Sequence, residues 1–179
     1  MAPLGDPALF DVIADEAAAE SHLWRDSLVP TREREPVPVF STLCESGHAL
    51  GVETIYEGYL VHYGRPRLFA PPDGDAALLL GDYLYAHGLV RIAQTGDVDA
   101  VGDLAELISL CAQARAEERD GDGVAWAATA ALLGERILDG PRAALRDRAD
   151  AGPLERAARE RAGDAAVDGA LAVHADRVG

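Results

Sequence analysis

Residues 78–93 read Leu-Leu-Leu-Gly-Asp-Tyr-Leu-Tyr-Ala-His-Gly-Leu-Val-Arg-Ile-Ala. No proline interrupts this run, Leu and Ala are strong helix formers, and apolar residues fall on every side of the helical projection. The stretch therefore predicts a helix central in a bundle. Upstream, Val52, Ile55, Tyr56, Tyr59, Leu60 and Tyr63 mark one face of a second strong helix, with Glu53 and Glu57 on the other side, and Gly64-Arg65-Pro66 stops it. Downstream, Gly96-Asp97 is a break that also supplies a cap. Beyond it, Leu104, Leu107, Ile108, Cys111 and Ala114 form another apolar stripe, ended by the polar turn 117–123. Residues 124–138 are Ala-rich and nearly apolar, which predicts a buried helix broken by Asp139-Gly140-Pro141.

At the N-terminal side, Asp6-Pro7 reads as a cap followed by a first-turn proline, and Phe10, Ile13, Ala14, Ala17, Trp24 and Leu28 follow at helical spacing until Pro30. Pro30, Pro36 and Pro38 make 29–39 a surface connection leading to a short helix at 40–44. From Pro141 onward Arg, Ala and Asp alternate with few large apolar residues, so 150–179 is expected to be a peripheral, partly frayed helical segment. The fold class is all-α: a single helical domain spanning 1–179, a bundle of about six or seven helices.

The 179 residues are 49% hydrophobic but only 6% aromatic, and sparse β-branched residues favour helices packed through small side chains. A formal charge of −15, with Arg as the sole basic side chain apart from His, repels a phosphate backbone and argues against nucleic acid as a partner. Cys44 and Cys111 are too few for a disulfide framework and read as small hydrophobes in a reducing compartment. With no basic start followed by an apolar stretch, and no uninterrupted apolar run of about 18 residues, the expectation is a cytoplasmic protein that does not span a membrane.

Residues 53–117 resemble the prenyl diphosphate synthase superfamily. His62 at a helix end, then Gly64-Arg65-Pro66, then Gly81-Asp82-Tyr83-Leu84 follow the family's order of His, Gly-x-Pro loop and Gly-Asp helix. The family's aspartate-rich Asp-Asp-x-x-Asp motif, which holds the magnesium that binds a substrate diphosphate, occurs nowhere in the chain, and only Tyr63 separates His62 from Gly64. Gly81 to Tyr85, followed by Gly96-Asp97 and Leu104, Ala105 and Ile108, is also similar to the accessory component of two-subunit heptaprenyl diphosphate synthases, which itself lacks those motifs. The resemblance implies a truncated isoprenoid-synthase-like bundle, an accessory or regulatory subunit that is not independently catalytic, magnesium only if a partner supplies the motif, and a homodimer or a hetero-oligomer with a catalytic synthase subunit.

Candidate ligand-binding residues are Tyr59, His62, Arg65, Arg67, Asp82 and His87. Asp82, inside an apolar helix, needs a partner or a wet cavity; Arg65 and Arg67 have the guanidinium geometry for an anionic head group. Neither catalytic residues nor metal ligands are assigned: the single Glu45-x-x-His48 spacing is no di-iron repeat, and Asp73-Gly-Asp75, Asp97-Val-Asp99 and Asp120-Gly-Asp122 read as turn and cap residues. The alternatives are an enzyme or small-ligand carrier using an apolar cavity between the Glu53 and Leu78 helices, with Tyr59, His62 and Asp82 as its polar groups, and an oligomeric structural module.

Overall fold

The apolar runs become helices wherever a cap starts them and a glycine, proline or polar turn stops them. The computed structural model of the chain describes residues 7–178. They fold as α1 (Pro7–Glu20), α2 (His22–Asp26), α3 (Ala49–Tyr63), α4 (Gly74–Gln94), α5 (Val98–Ala116), α6 (Asp122–Ala131), α7 (Asp139–Arg148), α8 (Gly152–Ala162) and α9 (Asp164–Val178), with short 3-10 turns at Thr31–Glu33 and Phe40–Leu43. The architecture is all-α; among the described residues no strand forms, and one isolated bridge pairs Leu28 with Phe69.

These α-helices outnumber the expected six or seven because polar punctuation ends helices that apolar content alone would continue. Ser21 splits the N-terminal helix: its side chain accepts from the Leu23 N–H and starts α2. Asp73 and Asp97 cap α4 and α5 in the same way, as the turn reading expects, by accepting from the N–H groups of Ala76 and Ala100. The cap expected at Asp6 lies outside the described residues. The helix expected over 124–138 stops at Ala131, because Gly134 and Arg136 take left-handed φ values of 83° and 56° and the Gly134 N–H donates to Asp103 Oδ2 at 2.9 Å. Ala149 and Gly163, with φ of 53° and 85°, separate α7, α8 and α9.

The central helix is α3, not α4. Of α3, every residue from Ala49 to Val61 except Leu50 is buried, whereas α4 buries Leu80, Gly81, Leu84, Gly88 and Ile92. Leu78, Leu79 and Val90 of α4 remain 55%, 56% and 52% exposed. The difference is one of neighbours: α3 meets α1, α4, α9 and the Phe40–Leu43 turn, while α4 meets mainly α3, with α5 and, through fewer contacts, α1 beside it. The α3–α4 contact is antiparallel and unusually close. Gly51 and Gly58 on α3 face Gly88 and Gly81 on α4, each pair two turns apart. A Cβ at Gly58 would stand 3.0 Å from the Gly81 carbonyl oxygen, and one at Gly88 would stand 3.0 Å from that of Gly51 and overlap Ile55 Cγ1.

Two apolar clusters result. The larger joins Phe40, Tyr56 and Tyr59 to Leu104, Leu107, Trp126 and the alanines of α6, and the smaller sets Phe10 and Ile13 of α1 against Val61, Leu68, Phe69, Leu80 and Leu84. Residues 150–178 are not peripheral: Leu154 and Ala158 of α8 and Val167 and Ala170 of α9 belong to the larger cluster. Their sparse large side chains conceal this in the sequence, because α8 packs on the Ala-rich α6, where small side chains suffice for close contact. Among the described residues no helix is long and apolar enough to cross a membrane.

The glycine seam fixes the sign of a simple comparison. Gly88→Ala should destabilise by about 1–3 kcal/mol through overpacking. Gly102→Ala and Gly169→Ala, on exposed helix surfaces with nothing within 4 Å of an added Cβ, should be stabilising by roughly 0.5–1 kcal/mol. Urea denaturation of the three variants against the parent chain measures both.

Candidate functional site

The polar groups of α3 point to two sides. On one side, Glu53 and Glu57, one helical turn apart, reach the connector that follows Gly64. Arg67 Nε donates to Glu57 Oε2 at 2.8 Å and its Nη1 to Glu53 Oε2, with all three side chains fully buried. The remaining carboxylate oxygens are satisfied by backbone: Val39 and Ser41 N–H donate to Glu53 Oε1, and Arg67 and Leu68 N–H to Glu57 Oε1. Arg67 Nη1 also donates to the Val37 carbonyl at 2.9 Å, and its guanidinium lies over the Phe10 and Tyr56 rings at 4.8 and 5.1 Å. Burial works against the charged guanidinium, but Glu53 and then Glu57 outweigh it and hold its pKa above the ordinary arginine value. Arg67 is therefore committed to the fold rather than open to an anionic head group. Arg65, two residues earlier, is exposed, and its N–H donates to the Arg177 carbonyl at 2.9 Å.

On another side, Tyr59 meets a residue that the sequence pattern assigns to a turn. Asp122 opens α6, and its Oδ2 accepts from the Tyr59 hydroxyl and from Arg115 Nη2 at 2.5 Å. Arg115 Nε in turn donates to the Tyr59 oxygen at 3.0 Å, and His174 Nε2 of α9 is 3.6 Å from Asp122 Oδ2. The Tyr56 hydroxyl lies 2.9 Å from His174 Nδ1, so one chain of polar groups runs from Arg115 to Tyr56. Phe40 and Trp126 pack their rings around it, stacked at 5.4 Å between centroids, with Tyr56 edge-on to both. Burial by itself would raise the Asp122 pKa, but His174, the Tyr59 hydroxyl and the Arg115 charge together hold it far below the usual carboxylate range. The same carboxylate, added to burial, pushes the Tyr59 hydroxyl upward. This is a second polar network of the interior, and sequence reasoning missed Asp122, Arg115 and His174. Asp122 sits in a Gly-Asp-Gly turn that is locally indistinguishable from the solvent-facing Asp73 turn, and the His174 partnership spans more than a hundred residues of chain.

His62 and Asp82 are brought together. The His62 ring occupies the space a side chain at Gly81 would need, and its Nε2 is 3.3 Å from Asp82 Oδ1. Asp82 is not buried as its apolar context implied: its side chain is 64% exposed, because it lies on the outer face of α4. Burial lowers the His62 pKa, and Asp82 offsets this only in part. Tyr59 turns instead toward α5 and α6, while His87 faces α1, its Nε2 2.6 Å from Glu16 Oε2. The glycine seam closes α3 against α4, so Tyr59, His62 and Asp82 do not line one interhelical cavity. Among the described residues no group of three or more His, Cys, Asp or Glu is placed to hold a metal ion. Both thiols are subdued by burial, that of Cys44 pushed up to about 12.

The depressed Asp122 pKa has a definite pH signature. A carboxyl group whose pKa is lower folded than unfolded contributes stability that is present above the unfolded value of about 3.9 and is lost progressively as pH falls toward the folded value. The stability difference between the parent chain and Asp122→Asn should accordingly be largest near pH 7 and should shrink below about pH 4, as measured by urea denaturation across that range. No protein-family model, curated protein or solved structure matches the chain.

Proposed function

We propose that this chain is a non-catalytic accessory subunit of prenyl diphosphate synthesis, built on an isoprenoid-synthase-like helical frame without the aspartate-rich metal motifs. One observation carries the reading. Arg67, beside the Gly-Arg-Pro turn that resembles the family's Arg-rich Gly-x-Pro loop, is consumed by Glu53 and Glu57 inside the core, and among the described residues no group of three or more His, Cys, Asp or Glu is placed to hold magnesium against a diphosphate. Of the positions that resemble the family's motifs, Gly81 gives its space to the His62 ring at the seam between α3 and α4, and Asp82 is an exposed carboxylate beside that ring. That arrangement supports a retained frame with the chemistry left to a partner.

The outer face of α4 supports self-association. Leu79 and Leu23, 56% and 53% exposed, line a largely apolar hollow of about 300 Å³ between α2 and α4, and Leu78 is exposed as well. Exposed apolar surface of this kind supports a second copy of the same face as its cover, in a two-fold, isologous arrangement, against the repulsion of the two negatively charged chains.

Incubated alone with isopentenyl and allylic diphosphates and magnesium, the pure protein should give no product; steady turnover without a partner would overturn the accessory role. Light scattering at micromolar concentration should return the mass of two chains, and Leu79→Glu should shift it to that of one. A single-chain mass for the parent protein would remove the dimer while leaving the accessory role standing.

A further inference from the structure

Tyr83, His87 and Arg91 lie four residues apart on α4 and share the face turned toward α1. Tyr83 stacks on His87, with ring centroids 5.3 Å apart, which fixes the imidazole. Both His87 Nε2 and Arg91 Nη2 contact a single oxygen of one carboxylate, Oε2 of Glu16. A carboxylate oxygen has no proton to give, so His87 carries one on Nε2. The Arg91 side chain is only 8% exposed, yet its Nε and Nη1 are buried without hydrogen-bond partners. Buried donors left without acceptors are costly, and these two N–H groups flank the Nη2 that Glu16 holds, so the guanidinium has donor capacity that the one carboxylate does not use. His87, Arg91 and Glu16 also line a cavity of about 260 Å³ whose other walls include Leu50, Val90 and Gln94.

We infer that this cavity is an anion site for a small phosphate monoester, held closed by Glu16 acting as a tethered stand-in. A free carboxylate would only replace the one Glu16 already supplies. A phosphate monoester brings two negative charges and three terminal oxygens to Arg91, His87 and the Gln94 amide, with Leu50 and Val90 against its organic part. Glu16, about half exposed, is free to withdraw into solvent. The inference does not depend on the accessory-subunit reading, since none of the groups offered to the anion, on His87, Arg91 and Gln94, belongs to the resembled motifs; Tyr83, which does, only packs on His87.

The test is a titration of the full chain with inorganic phosphate in about 0.15 M salt, where the Debye length of roughly 8 Å limits the repulsion from the remote negative charges. The backbone amide resonances of Gly51 and Gln94 are the readout, with sodium chloride at matched ionic strength and sodium acetate as controls. Saturable shifts are expected with phosphate alone, about tenfold tighter in Glu16→Gln because the competing charge-assisted bonds are gone, and lost in Arg91→Met. If Arg91→Met does not fold, His87→Asn carries the same expectation of weakened saturation. Absence of saturation in both the parent chain and Glu16→Gln, or equal affinity in the two, overturns the site. Saturation by acetate at the same concentrations overturns the phosphate assignment.

Discussion

One buried ion cluster organises the molecule. Arg67 between Glu53 and Glu57 joins the helix at the centre of the bundle to both connectors that flank it, through Val37, Val39 and Ser41 on one side and Leu68 on the other. Three ionisable side chains removed from water are tolerable only when nearly every lone pair and N–H is matched, and here four backbone N–H groups complete the set. Removing one partner from such a cluster typically costs about 3–5 kcal/mol, because the other is left charged and unpaired. The irregular segments 34–41 and 64–70 therefore have a defined path in spite of their prolines, and α1 closes over the guanidinium through Phe10.

With that cluster on one side of α3 and the glycine seam on another, the remaining sides meet α6 and α9. There Tyr59, Asp122, Arg115, His174 and Tyr56 make a second polar network, and Asp103 with Arg142 a third, joining α5 to α7 through a bond of 2.8 Å and reaching Thr129 of α6. Each ties together helices distant in sequence, and each replaces apolar contact that a chain with so few aromatic and branched residues lacks. Alanine-on-alanine packing brings backbones close but buries little area per residue. Directional charge-assisted bonds then select one arrangement among the many that small side chains would permit.

Chemistry at the surface follows from the same geometry. Because α4 presses α3 so closely along one face, its other faces are left to α5, to α1 and to solvent. The α1 face carries Tyr83, His87 and Arg91 against Glu16; the outer face carries Asp82, Leu79 and Val90. The features of α4 that look most like an active-site helix in the sequence, a glycine followed by an aspartate, thus resolve into a space for His62 and an exposed carboxylate beside it.

Much of the fold is legible in the amino-acid sequence. Alanine and leucine content, the 3.6-residue stripes of residues 52–63 and 104–114, and the caps at Asp73 and Asp97 specify helices and several of their ends, because those signals act within one or two turns. Which helix is central is not legible there: residues 78–93 carry apolar side chains on every side of the helix, whereas α3 hides two glutamates in its sequence, and only the arrival of Arg67 makes burying them tolerable. Asp122 and His174 are equally silent, since pairing across separate helices leaves no local pattern. The sequence by itself determines that the chain is helical and where most helices break, through short-range propensity and capping. Tertiary structure alone decides which charges are interior, because the energy of a buried charge depends on partners that folding brings from elsewhere in the chain.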